Sequence, residues 1–578
     1  MDINEIYDTL LDNRQVAAVF SLKDNKYMDV VYECIISCEL SAKNHIIPVR
    51  IGIPEDWEQK LIDIYIEEYS TFPYIPHVDI KGKMCLFDLE GALIDTNLCG
   101  LLNQCIERAI LLLSNGLEGS NKEDFINEFS LYWSQLPEKR IIKCVIPLEE
   151  KTQKIKYVEQ IIERRKNEKF STYQKRTKLG QLFAASDTDS FSTWCISGTQ
   201  KNGFYFCLTT EKYVYPPDAR EVLKIEYINN LLGQSLASDC SKIMHKSGGD
   251  KVFIFQIKQP NGICICIGVL LKNAIIEQTD IVYQIKDTPN LKIHPLSVQR
   301  IDKYYLMNRT KDVAISDRKK LLLIGCGSIG GYLSNELVKA GFEDITFVDE
   351  DFLCEDNIFR HFLGIEYVGQ YKAEALVKYF KKNIPHIKLK AVDENVKSLI
   401  ADGSIELNDY DLIISATGNH NINRWINKIV YNDCIKIPII YVWNEPLDIG
   451  CHVAVIRSIY TGCYECFFRR DILTQELYDA TAYCAPRQVI TRSYTGCGGF
   501  FVPYGSTISL KSTALCMDWI NKALDGRCSD NVLISLKGEG YYFEKAGFKA
   551  SDIYRNQTKG LEITIGERFQ DKYCEICG

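Results

Sequence analysis

The sequence predicts a multidomain chain: an α+β domain over residues 1–145, an α+β linker domain over 146–304 and a doubly wound α/β domain over 305–578. Three observations carry this reading. The chain has 578 residues, several times the ~150 of an average domain. Its first part sets apolar runs rich in β-branched residues ahead of an amphipathic stretch, the order of an α+β unit. Its last part alternates strand-length apolar runs with helix-forming segments, the order of a parallel sheet wound on both faces.

Composition fits this organisation and narrows the class. Hydrophobic residues make up 46%, charged 25% and aromatic 11%, enough to bury several cores and unlike disordered or fibrous chains. A net charge of −8 gives no bulk positive field for nucleic acid or an anionic membrane. The apolar stretches (Gly262 to Leu271, Leu321 to Ile324) fall short of the ~18 residues of a membrane span. The 23 cysteines follow a start without a basic and then apolar leader, so a reducing cytoplasm and free or metal-binding thiols are expected.

In the first domain the runs Val16 to Leu22, Val30 to Ile36 and Ile46 to Ile53 read as strands, and Leu101 to Leu113 as an amphipathic helix. A charged stretch, Glu149 to Lys178, reads as a solvated helix or linker. The middle block shows β-like runs at Tyr205 to Thr209, Val252 to Ile257 and Ile263 to Leu270, without a chemical motif. From Lys319 onward come strands at Leu321 to Ile324, Ile345 to Val348 and Leu412 to Ser415, with helices to Ala340 and near Lys372 to Lys382.

The strand Lys320 to Ile324 runs into Gly325-Cys-Gly327-Ser328-Ile-Gly330 and then a helix-forming stretch. Such glycines let the backbone turn tightly and approach a phosphate at a helix N-terminus. Asp349 ends the next strand, where an acidic side chain meets ribose hydroxyls. These residues alone fit an ordinary dinucleotide-binding domain equally well. Asn357, Arg360 and Lys372 follow, and a cluster of cations suits a transferring phosphate better than a nicotinamide cofactor. Read singly, Arg360 and Lys372 are ordinary surface charges.

Two Cys-x-x-Cys pairs, Cys463/Cys466 and Cys574/Cys577, lie 107 residues apart. Together they offer four thiolates, a closed tetrahedral set for structural zinc; buried inert cysteines are the plain alternative. Between them, Cys497 sits among glycines ahead of a helix-like run from Ser506 to Asn521, where a helix N-terminus can stabilise a thiolate.

The ordered set from Gly325 to Lys372 resembles the ThiF/MoeB/ubiquitin-activating superfamily, which adenylates a protein's C-terminal carboxylate. That resemblance implies ATP, magnesium and zinc, with Gly325, Gly327, Ser328 and Gly330 at the phosphates and Asp349 and Asp351 as the Asp-x-Asp pair. It places Asp349 on the ribose and Asn357, Arg360 and Lys372 on the phosphates. It also implies a paired zinc site, Cys497 as the thioester-forming cysteine with Cys484 in reserve, and a homodimer in which Arg309 reaches the partner's phosphates. One position departs: Gly418 stands where most members carry a magnesium-binding Asp, which leaves Asp351 or Asn419 to share that ion.

The segment Phe72-Pro73-Tyr-Ile-Pro76-His77, with Gly82, Cys85 and Leu86 after it, resembles the ubiquitin-conjugating (UBC) signature. Cys85 falls on the catalytic cysteine and His77 on the Asn that stabilises the oxyanion, a role an imidazole N–H can fill. A UBC-like binding domain in which Cys85 is one ordinary cysteine among many is the alternative. The pairing of the two halves resembles the conjugating/activating fusion enzymes of bacterial type II CBASS antiphage operons. That implies a protein substrate with a free C-terminus, a cGAS/DncV-like nucleotidyltransferase, carried on two cysteines to an acceptor amine. A ubiquitin-like modifier as substrate, a sulfur-carrier adenylyltransferase and a non-catalytic scaffold are the rival readings.

Overall fold

The computed structural model resolves the chain into two compact units, Met1–Leu306 and Met307–Gly578. It describes all residues except 1–2, 22–25, 29, 88–96, 149–150, 161–168, 170, 172–181, 195, 235–242, 245–246, 280–281, 309–318, 385–386 and 493–500. Among the described residues no helix is long and apolar enough to cross a membrane.

The first unit opens with helix α1 (Ile3–Asp12) and an antiparallel meander, β1 (Val16–Ser21), β2 (Cys34–Ala42), β3 (His45–Ile53) and β4 (Asp63–Ile66), in that spatial order. The predicted run Val30 to Ile36 is split: Val30–Val31 pairs with Lys26–Tyr27 in a small hairpin, and β2 starts at Cys34. Strand β2 alternates buried and half-buried positions, so one face of the sheet packs on α2 (Leu98–Glu118). Asn97 caps α2 by accepting from the Cys99 and Gly100 N–H groups, and Gly119 ends it at φ +70°, the left-handed stop that glycine adopts without strain. Ile36, Cys38, Leu40, Leu102, Cys105, Ile106 and Ala109 form the shared core.

The second sheet of this unit begins earlier than the sequence suggests. Two short helices, α3 (Asp124–Asn127) and α4 (Phe129–Trp133), precede β5 (Arg140–Cys144). The boundary expected at 145 put β5 in the first domain. Instead Leu296↔Arg140 and Ile142↔Leu182 pair it in parallel inside the second sheet. That sheet holds β6 (Gln153–Glu159), β7 (Leu182–Ala185), β8 (Gln200–Thr209), β9 (Ser247–Lys258), β10 (Cys264–Thr279), β11 (Val282–Ile285) and β12 (Lys292–Arg300). Its order is β9-β8-β6-β7-β5-β12-β10-β11, and β9 also pairs β10, so the sheet closes on itself and leaves few open edges. Trp133 of α4 donates its indole N–H to the Leu296 carbonyl at 3.0 Å, and its ring is buried with Phe206 and Phe255.

The second unit is the doubly wound sheet. Strands β13 (Lys320–Ile324), β14 (Asp344–Val348), β15 (Lys388–Val392), β16 (Leu412–Ser415) and β17 (Ile439–Asn444) run parallel in the order β15-β14-β13-β16-β17. The order reverses between β13 and β16, and a crevice opens at such a switch point beyond the strand ends. Three antiparallel strands the sequence reading did not foresee extend the sheet: β18 (Gly450–Ile456), β19 (Val532–Lys537) and β20 (Leu561–Ile565). Helices α5 (Ser328–Lys339), α6 (Lys372–Asn383), α7 (His420–Asn432) and α8 (Ser506–Leu524) cover the faces. The central strands β13 and β16 are buried almost throughout, as a sheet covered on both faces requires.

Candidate functional site

A cavity of about 760 Å³ opens at the β13/β16 switch point, lined by Gly325, Gly327, Ser328, Asp349, Asp351, Arg360, Lys372, Gly418 and Asn419 among others. The glycine loop is shaped by contact. Gly325 has φ +89°, and a Cβ there would lie 2.8 Å from the Thr417 nitrogen; a Cβ on Gly330 would lie 2.0 Å from the Gly325 carbonyl oxygen. Helix α5 thus starts against the loop with its N-terminus at the cavity, where unpaired N–H groups and the helix dipole favour an anion.

The Asp349 carboxylate accepts from the Cys326 N–H at 2.6 Å and the Asp351 N–H at 2.9 Å, tying the glycine loop to the end of β14. Burial pushes its pKa above the ordinary carboxylate value, against the pull of Lys372 and those N–H groups. Lys372 pairs with Asp351 at 2.8 Å. The Ser328 hydroxyl is spent on structure: it donates to the Arg360 carbonyl at 2.6 Å and meets the Ser509 hydroxyl at 2.7 Å. Arg360 lies 5.7 Å from the centre of the Tyr504 ring. His361, next to it, is buried; its Nδ1 accepts from the Leu363 N–H and its Nε2 faces the Cys326 carbonyl at 2.7 Å. Burial lowers its pKa, so it is a neutral brace for the glycine loop.

Two expectations shift here. Asn357 does not line the cavity: its Oδ1 accepts from the Cys354 N–H at 3.1 Å and closes a local turn. Asn419 lines it, but its Oδ1 accepts from the Asn421 and Ile422 N–H groups as the cap of α7, which leaves it ill placed to replace an Asp at Gly418. Glu350, Glu394 and Asp479 also reach the cavity wall. No family pattern pointed to Asp479, because it arrives from a hairpin more than a hundred residues further on. Arg309 and Cys497 lie outside the described residues. Cys484 is half-buried, and its pKa is pushed up to about 11, chiefly by burial, which suits an inert thiol.

The four sulfurs of Cys463, Cys466, Cys574 and Cys577 lie within 4.8 Å of one another. Three pairs stand at 3.9, 3.6 and 3.4 Å, close to the ~3.8 Å expected for four thiolates around one tetrahedral ion. None of the four is in a disulfide, so the donor set fits a soft divalent metal.

In the first unit Cys85 is exposed at the rim of a second cavity, of about 730 Å³. Val31, Tyr32, Pro54 and Met84 wall it from the meander side, and Leu131, Tyr132 and Gln135 from α4 and the turn beyond it. His77, expected at the oxyanion, turns its ring to two carboxylates. Its Nε2 faces Asp124 Oδ2 at 3.1 Å and its Nδ1 faces Glu128 Oε1 at 3.3 Å, so both ring nitrogens are engaged by carboxylates from α3 and the turn into α4. These partners raise its pKa, Glu128 most, against the burial that lowers it.

Comparison with known proteins agrees with this division. Residues 13–142 match the prokaryotic E2 family B, and residues 309–525 match the ThiF family. The ATP-dependent ubiquitin transferase-like protein Cap2 of Pseudomonas aeruginosa (strain BWHPSA011 / Pa011) is 25% identical over 486 residues, which is 77% of this chain and 80% of that protein. The SUMO-activating enzyme subunit 2 of Dictyostelium discoideum is 29% identical over 148 residues, 25% of this chain and 22% of that one. Among solved structures, E. coli MccB with MccA-N7isoASN is similar at 17% identity and a TM-score of 0.32, covering 45% of this chain and 67% of that chain.

Proposed function

For a chain that is a fused E2-like and E1-like ATP-dependent transferase of the ThiF family, we propose a two-cysteine relay that activates a partner protein's C-terminal carboxylate and delivers it to an amine. One observation carries this reading. The same polypeptide holds a glycine-loop cavity with Asp349, Arg360 and Lys372 on its wall and an exposed cysteine, Cys85, beside a second cavity in an E2-like domain.

ATP lies at the β13/β16 crevice. The glycine loop and the start of α5 face its phosphates, Asp349 its ribose, and Arg360 and Lys372 its charge. The substrate carboxylate attacks the α-phosphorus and pyrophosphate leaves. The Cys497 thiolate attacks the acyl adenylate and AMP leaves; the Cys85 thiolate takes the acyl group, and the acceptor amine displaces Cys85 as an amide forms. Splitting the reaction this way suits a carboxylate, which is unreactive until activated. Magnesium would neutralise phosphate charge, and Asp351, whose Oδ2 pairs with Lys372, would offer it the other carboxylate oxygen. Cys463, Cys466, Cys574 and Cys577 would hold zinc as a structural ion.

The substrate class is a protein with a free C-terminal carboxylate, a cGAS/DncV-like nucleotidyltransferase in antiphage defence. A cytoplasmic location and a homodimer with Arg309 reaching the partner's phosphates belong to the same proposal. Phe359, next to Arg360 in the chain, is 95% exposed and would be covered by the second copy. The test is incubation with ATP, magnesium and the candidate partner, read as a thiol-sensitive covalent band. Cys85→Ala is expected to abolish the final conjugate and keep the ATP-dependent thioester on Cys497. A Cys85→Ala protein that makes conjugate at the wild-type rate overturns the relay.

A further inference from the structure

The segment that carries Cys85 is held from outside its own sheet at two places. Arg220, paired with Asp218 at 2.6 Å, donates through Nη1 to the Tyr69 and Phe72 carbonyls at 2.9 and 3.0 Å and lies over the Tyr69 and Tyr74 rings. Five residues past Phe72, His77 has φ +62°, a left-handed conformation that a residue with a Cβ keeps only where its surroundings over-determine it. Its surroundings do so. Asp124 and Glu128 take the two ring nitrogens. The His77 N–H donates to the Tyr132 hydroxyl at 2.7 Å, and that hydroxyl donates to Glu128 at 2.9 Å. The His77 carbonyl, in turn, accepts from the Cys85 N–H at 2.7 Å.

We propose that Asp124, Glu128 and Tyr132 are positioning residues of the conjugating centre, which fix the Cys85 backbone through His77. The stretch 124–132 is then working machinery and not a spacer. The inference rests on the reading of Cys85 as an acyl carrier. The cavity supports it, since Leu131 and Tyr132 from the same stretch wall the space into which Cys85 opens. An acyl group on Cys85 and the amine that attacks it would meet against that wall, and a misplacement of about 1 Å there can cost about 100-fold in rate.

The test uses the full chain and bypasses activation. A short glycine-terminated peptide thioester serves as acyl donor: the Cys85 thiolate attacks its carbonyl and the small thiol leaves. Free lysine then serves as acceptor and releases Cys85. Mass spectrometry reads the loading of Cys85 and its discharge. We expect Glu128→Ala to slow discharge at least tenfold, with ATP–pyrophosphate exchange within twofold of wild type. Because Glu128 acts through His77, the double variant His77→Ala/Glu128→Ala should be no more than twofold slower than His77→Ala alone. Glu128→Gln, which keeps an acceptor oxygen, should recover part of the rate.

If Glu128→Ala does not fold, Tyr132→Phe, which removes one hydroxyl, is expected to slow discharge threefold or more and takes its place. Wild-type discharge rates in these variants, or a double-variant loss equal to the product of the single losses, overturn the inference. Failure of the parent reading looks different: the wild type does not load, or Cys85→Ala loads as well as the wild type.

Discussion

Gly330→Ala tests the nucleotide loop with a single added methyl group. Its Cβ would lie 2.0 Å from the Gly325 carbonyl oxygen, against the 3.0 Å below which real Cβ contacts essentially never fall. Helix α5 must therefore back away from the loop by about 1 Å, because the clashing atom is backbone and cannot rotate aside. Overpacking of this kind costs about 1–3 kcal/mol. For a unit of this size each kcal/mol shifts the melting temperature by about 2–4 °C, so a loss of roughly 5 °C is expected. The same displacement moves the anion-facing N–H groups, and ATP affinity should fall by at least about tenfold. Gly327→Ala is the control, since its Cβ meets nothing within 4 Å: it should melt within about 2 °C of wild type whatever it does to ATP. Differential scanning calorimetry and isothermal titration with ATP make the comparison. A Gly330→Ala protein with wild-type melting and affinity would refute the claim that this glycine exists for close approach.

Three further outcomes are expected. The His77 cluster gives a pH signature: His77 is raised above its ordinary 6.5 and Glu128 lowered below its ordinary 4.5. The His77 contribution to stability is complete below 6.5 and lost as pH rises through its folded value; the Glu128 contribution is present above 4.5 and lost as pH falls. Melting between pH 6 and 8 should therefore decline more steeply in the wild type than in His77→Ala, and equal slopes would count against the cluster. Elemental analysis should find about one zinc per chain, and Cys574→Ser should lose it and destabilise the second unit by a few kcal/mol; zinc-free protein of unchanged stability would rule the site out. Cys484→Ser should leave ATP-dependent thioester formation intact, whereas Cys497→Ser should abolish it, and the reverse pattern would exchange their roles.

The parts of this molecule that the sequence makes legible are those whose partners are near in the chain or carry an element-specific spacing. Strand β13, the glycines behind it and Asp349 form one strand-turn-helix-strand unit, so the periodicity from Lys320 onward places them. The cysteine pairs are legible despite their separation, because Cys-x-x-Cys presents two thiolates to one ion wherever the second pair comes from. The antiparallel strands β18, β19 and β20 are harder to foresee. Their neighbours along the sheet are far apart in sequence, as in Gly450↔Lys537, and each run read alone is only a short apolar segment.

The His77 region shows the same limit with a functional consequence. Register against Cys85 placed His77 at the right point of the loop, and an imidazole there reads naturally as a hydrogen-bond donor to an oxyanion. What the ring donates to depends on Asp124 and Glu128, 47 and 51 residues later, and these belong to a stretch that leads into β5. The run from Arg140 to Cys144 looks like the end of the first domain because its strand partners, Leu182–Ala184 and Leu296–Arg300, are tens to more than 150 residues away. Both features depend on pairings that are distant in the chain, so neither is visible from local spacing. In the structure β5 pairs inside the second sheet, and Asp124 and Glu128, from the stretch just before it, take the His77 ring nitrogens. Because α3 and α4 lie in the chain between the Cys85 loop and β5, a variant that unpairs β5, such as Ile142→Pro in the middle of its ladder, is expected to disturb the Cys85 loop as well as the sheet.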